Sequence, residues 1–138
     1  MFKKIMTPVD LQHQDHLAKA LQCTADLARQ WGAEVVYVGV TAPQPSPIAH
    51  NPTEYAEKLK DFAAAQAKQH DISASSDPVL SHDPTTDVDE ALLKAAHDTG
   101  TDLVVMASHM PSAVDYIWPS NGGKIAEHAN CSVFVVRG

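Results

Sequence analysis

The side chains of this sequence best suited to chemistry crowd into one stretch, between Ala107 and Asn121, which holds Ser108, His109, Ser112, Asp115 and Ser120. A hydroxyl, an imidazole and a carboxylate are the parts of a nucleophilic hydrolase. Those parts need a fixed mutual geometry, and no Gly-x-Ser-x-Gly elbow presents a nucleophile here. No Gly-x-x-x-x-Gly-Lys-[Ser/Thr] loop is present either, so a phosphate-loop nucleotidase is not indicated. A non-catalytic protein is the expectation.

Metal chemistry fares no better. The chain has 8 histidines, but only His13 and His16 stand close together, at a loop-to-helix junction. A structural metal site needs about four ligands in tetrahedral array. No metal of its own is expected. The two cysteines, Cys23 and Cys131, lie far apart and in no metal-type spacing. They indicate neither a disulfide scaffold nor an oxidising compartment, and Cys23 reads as a small core residue on a helix. A formal net charge of −7 with scattered basic residues opposes nucleic acid as a partner. After the opening MFKK no apolar stretch marks a signal peptide, and no run approaches the ~20 residues of a membrane helix. A cytoplasmic protein is expected, with no membrane partner.

Any site must be positioned by an alternation of strand and helix signals that runs end to end, over residues 1–138 read as one domain. Ile5–Asp10 reads as a first strand ending in Pro-Val-Asp. Residues 16–31 place Leu17, Ala20, Leu21, Thr24, Leu27, Ala28 and Trp31 at the spacing of one helix face, with Gly32 as its terminator. Ala33–Val40 is a β-branched run that reads as a buried strand. Thr41–Pro52 holds four prolines and must be a loop, either a lid or a plain connection. A second helix is expected over Thr53–His70, capped by Thr53, and a weak edge strand around Val79–His82. A helix over Thr86–Thr99, a strand over Leu103–Ala107, a short helix over Asn121–Ala129 and a strand over Val133–Val136 complete the pattern.

Strands separated by helices imply right-handed crossovers and a parallel sheet, here doubly wound with helices on both faces. Ligands bind such sheets beyond the carboxyl ends of the strands. Three places qualify: Thr7–Asp10, Val40–Ala42 and Ala107–Asn121. These places, with KKIMTPVD, GAEVVYVGV, TDLVVMASH and EHANCSVFVVR, resemble the universal stress protein family over essentially the whole chain. The resemblance implies an α/β fold with strand order 3-2-1-4-5 and a homodimer joined through the last strand, Val133–Val136. It also implies an adenine-nucleotide crevice, for ATP or AMP. Pro8, Val9 and Asp10 would line it from the first strand, Val40 and Thr41 from the second. Ala107, Ser108, His109, Met110, Ser120 and Asn121 would face it from the fourth strand and its loop. Asp10 has a second reading, as the cap of the turn that follows it.

Many family members bind ATP through a Gly-x-x-Gly-x(8 or 9)-Gly-[Ser/Thr] motif. Mapped here, its glycines become Ala107, Met110 and Pro119. Glycines let backbone N–H groups close on phosphate at positive φ. Met110 is bulky, and Pro119 has no N–H to donate. What remains is the Ser120 hydroxyl, the Ser120 and Asn121 amides, and a helix N-terminus. Weakened phosphate binding is the expectation. His109 reads as a phosphate contact or pH-sensitive donor, or as a loop residue with no role. Trp118 can stack on a base or a partner, or fold back into the emptied phosphate site. The leading reading is a stress-response or regulatory protein with an adenine-nucleotide crevice and a protein partner still unidentified. An ATP-binding switch with slow hydrolysis or phosphotransfer, and a pure interaction module, are the alternatives.

Overall fold

Val35, Val36, Val38, Val104 and Val105 are each 3% exposed or less, which requires strands covered on both faces. The computed structural model of the chain, which describes residues 1–82, 88–108 and 122–137, builds them into a five-stranded parallel sheet. In chain order the elements are β1 (Lys4–Pro8), a 3-10 segment (Leu11–Leu17), α1 (Ala18–Trp31), β2 (Glu34–Thr41) and α2 (Pro52–His70). They continue with β3 (Ser73–Leu80), α3 (Val88–Asp98), β4 (Leu103–Ala107), α4 (Gly122–His128) and β5 (Ser132–Val136). The strand order is β3-β2-β1-β4-β5, as the resemblance implied.

Handedness distributes the helices. Chain travel from β1 to β3 runs one way along the sheet, and from β3 to β5 the other way. Right-handed crossovers then put α1 and α2 on one face and α3 and α4 on the opposite face. Side-chain contacts agree. Thr7 of β1 bonds Thr24 of α1 at 2.8 Å. Its register partner Tyr37 meets Phe62 of α2 edge-to-face, with ring centroids 5.4 Å apart. Gly32 ends α1 at φ 63°, a left-handed conformation that glycine adopts without strain.

Two expectations need correction. The weak strand expected around Val79–His82 starts earlier, at Ser73. Ser73–Pro78 is polar and a poor strand former, so propensity hid it. It is extended because all of its residues pair with β2 in unbroken register. Thr53 is not the cap of α2. The Asn51 side chain accepts from Glu54 N at 2.8 Å, and Pro52 opens the helix, where its missing N–H costs nothing.

The two ends of the sheet are finished differently. At the amino end both oxygens of Asp102 accept main-chain bonds, from Lys3 N at 2.9 Å and Lys4 N at 3.0 Å, and lace the start of β1 to β4. At the carboxyl end that lacing stops. Carbonyls of odd-numbered β1 residues face β2 and those of even-numbered ones face β4, as Lys3 O and Lys4 O show. Pro8 therefore turns toward β4 the side that lacks an N–H, and β1–β4 pairing ends at Met6. Val9, one residue on, still donates to Val38 O of β2 at 2.8 Å. β1 and β4 thus part at the point where the strand order reverses.

Candidate functional site

A hollow of about 120 Å³ opens where β1 and β2 end. Val9 and Asp10 line it from just past β1, and Val40 and Thr41 from β2; Ile48 and Tyr55 line it from the loop and the start of α2. The volume is close to the ~150 Å³ of a cavity that holds one benzene, and below the ~300–1,000 Å³ of a drug-sized pocket. Among the described residues that is room for a ring.

Four of the residues singled out in the sequence therefore meet at one place. Pro8 lies one position before the lining and acts through its missing N–H. Ala107 and Ser108 do not line this hollow; Ser108 N is tied to Val136 O at 2.8 Å, so the β4 tip is joined to β5. His109, Met110, Ser120 and Asn121 lie outside the described residues, as do Trp118 and Pro119.

Asp10 is 7% exposed and both of its oxygens are engaged. Oδ1 accepts from Gln12 N at 3.0 Å, and Oδ2 lies 2.9 Å from His13 Nδ1. The carboxylate caps the 3-10 segment, the second of its two readings, while still forming part of the wall. The His13 and His16 rings sit 6.2 Å apart. Among the described residues no group of three or more His, Cys, Asp or Glu side chains could hold a metal ion.

The loop that roofs the hollow is folded on itself. Ser46 N donates to Ala49 O at 2.8 Å, Ala49 is buried, and Lys58 Nζ donates to Ile48 O. This favours a structured connection over a free lid. The loop delivers the chain to the Asn51 cap, and Tyr55 N makes the first helical bond, to Asn51 O at 3.1 Å.

Sequence reasoning missed several residues at the site, Gln12, Ile48 and Tyr55 among them, and with Tyr55 the glycine beneath it, Gly39. Tyr55 reads there only as one member of an apolar helix face, yet it lines the hollow at 4% exposure. Its hydroxyl makes no hydrogen bond among the described residues. Burial, and then the nearby Asp10 carboxylate, push its pKa above the ordinary tyrosine value, so it stays a neutral donor. Gly39 makes room for it: a Cβ at position 39 would stand 2.2 Å from the Tyr55 oxygen. The available signal was a glycine inside the otherwise apolar run AEVVYVGV, which marks a close approach.

Comparison with known proteins gives a consistent family. The sequence model of the Universal stress protein family matches residues 1–137. Universal stress protein G of Shigella flexneri is 26% identical over 148 aligned residues, covering 99% of this chain and 100% of the relative. The crystal structure of a protein from the universal stress protein family of Burkholderia pseudomallei superposes with a TM-score of 0.69 at 22% identity, covering 97% of this chain and 95% of the other. A universal stress protein family protein from Arabidopsis thaliana with AMP bound superposes with a TM-score of 0.66 at 13% identity, covering 98% and 91%. At these identities the structural likenesses speak for the fold.

Proposed function

The chain belongs to the universal stress protein family, and from that membership we propose that it is a non-catalytic stress-response regulator whose hollow takes the base of an adenine nucleotide. One observation carries the reading. Val9, Asp10, Val40 and Thr41 converge around a ring-sized hollow beside the reversal of strand order, the position where doubly wound sheets take ligands. The Arabidopsis relative with AMP bound is the precedent for the ligand class. Weak triphosphate affinity follows from the sequence, because Met110 and Pro119 stand where phosphate-binding relatives have glycines. The reading favours adenosine or AMP over ATP.

Isothermal titration with AMP, ADP and ATP tests this. The expected result is AMP binding at least as tight as ATP binding, with no dependence on magnesium. Tight, magnesium-dependent ATP binding would overturn it in favour of an ATP switch.

The reading also includes a homodimer and a cytoplasmic setting. β5 is an edge strand with one neighbour, β4, and Phe134 on it is 45% exposed. An apolar edge is an aggregation hazard unless covered. Pairing of Val133–Val136 with a second copy would cover it. Light scattering on Phe134→Lys should then report a smaller particle than the unaltered chain.

A further inference from the structure

The polar groups lining the hollow differ in what they offer a ligand. The Gln12 and Gln44 amides make no side-chain hydrogen bond among the described residues, but they lie on half-buried and exposed residues. Both Asp10 oxygens are engaged, by Gln12 N and by His13 Nδ1. Ser46 Oγ is engaged with Ala49. Like the two amides, the Tyr55 hydroxyl is unengaged, and of these groups it is the one on a buried residue. It belongs to a residue only 4% exposed, it has no partner among the described residues, and that residue lines the hollow. A hydroxyl with no protein partner there that is not sealed from solvent has a hydrogen bond that a guest can supply in place of water.

Its position is tightly defined. The Asn51 cap and Pro52 set the first turn of α2, and Tyr55 N bonds Asn51 O at 3.1 Å. The ring then lies over β2 at Gly39. There an added Cβ would stand 2.2 Å from the hydroxyl oxygen and 3.0 Å from Cζ. Any side chain at 39 would displace the hydroxyl. The pair therefore behaves as one device: a strand position left bare so that a phenol can reach the hollow.

We propose that the Tyr55 hydroxyl is the base-reading group of this site, donating a hydrogen bond to one ring nitrogen of a bound purine, with Gly39 as the residue that seats it. The proposal rests on the adenine-nucleotide reading and adds what that reading lacks, a specificity determinant. Donation is open to it because the phenol stays protonated; the same oxygen could also accept from an amino group. The unprotonated nitrogens of a purine ring are acceptors of the right kind. A nucleotide analogue with C–H in place of the contacted nitrogen would leave the hydroxyl unmatched.

The test uses the full chain and titrates AMP and its 1-deaza, 3-deaza and 7-deaza analogues into the unaltered protein, Tyr55→Phe and Gly39→Ala. The unaltered protein should bind one analogue about three- to tenfold more weakly than AMP, the range for loss of one neutral hydrogen bond. Tyr55→Phe should lose AMP affinity by a similar factor and bind AMP and that analogue equally. A purely structural role for Tyr55 would leave the preference between AMP and the analogue intact. Equal AMP affinity in Tyr55→Phe and the unaltered protein, or a preserved preference, would sink the inference alone. No binding of AMP by the unaltered protein would sink the adenine reading, and the inference with it. Gly39→Ala should lose AMP binding by more than Tyr55→Phe does. Combining the two substitutions should recover part of the thermal stability lost in Gly39→Ala, since the shortest contact is to the hydroxyl. No recovery would refute the proposed seat.

Discussion

Tyr37 and Tyr55 pack the same helix, α2, against the same face of the same strand, and they end in opposite circumstances. Tyr37 is wholly buried in the middle of the sheet, its ring edge-to-face with Phe62. Its hydroxyl is sealed from solvent and has no hydrogen-bond partner among the described residues. Tyr55 sits at the strand's carboxyl end, over Gly39, on the wall of a hollow. Burial raises the pKa of both phenols, so both remain neutral. The difference is access. An unmet hydroxyl in a sealed core is only a cost of packing a large ring, whereas the same group on a hollow can be met by a ligand. The carboxyl end of a parallel sheet turns a packing residue into a candidate recognition residue.

Four substitutions can break or sharpen that contrast. The largest effect is expected from Tyr37→Ala, which empties the middle of the α2 interface. A loss of about 3–5 kcal/mol is typical for truncating a buried aromatic, read from urea unfolding. Gly39→Ala should follow, at about 1–3 kcal/mol, because overpacking forces Tyr55 or the strand to move. Third is the pair of phenylalanine replacements. Tyr37→Phe removes a sealed, unmet hydroxyl and should be neutral or stabilising by up to about 1 kcal/mol. Tyr55→Phe should change stability by less than about 0.5 kcal/mol and be felt in ligand affinity. A clear loss of stability in Tyr37→Phe would mean that its hydroxyl does have a partner, and the contrast would collapse.

The smallest effect concerns a carboxylate on the opposite face. Asp77 of β3 is partly buried beside α3; burial first, then Asp98, raise its pKa, while Lys94 opposes them. A carboxyl whose pKa is higher folded than unfolded favours the fold most when protonated. That contribution is complete below the unfolded pKa and is lost as pH rises through the folded one. Asp77→Asn should therefore unfold at a higher urea concentration than the unaltered chain at neutral pH. The gap should shrink as pH falls below the ordinary carboxylate range. A gap independent of pH would show that the charge of Asp77 is not what weakens the fold.

Much of this molecule was legible in the residue order. The β-branched runs of β2 and β4 and the 3–4 spacing of α1 are local patterns, and each produced its element near the expected place. Their alternation implied parallel crossovers and a ligand end at the tips of β1, β2 and β4; Val9, Asp10, Val40 and Thr41 of the first two meet at a hollow that Ala107 and Ser108 of the third do not line. Local pattern could not reveal β3, whose polar Ser73–Pro78 is extended only because β2 supplies its hydrogen bonds. Nor could it decide between the two readings of Asp10, or reveal that Pro8 parts β1 from β4 and that Tyr55 occupies the space Gly39 leaves. Periodicity and propensity act between residues a turn or a pleat apart, so a sequence displays them. A contact between a helix's first turn and a strand position 16 residues earlier depends on how closely two layers pack, and that distance exists only once the chain has folded.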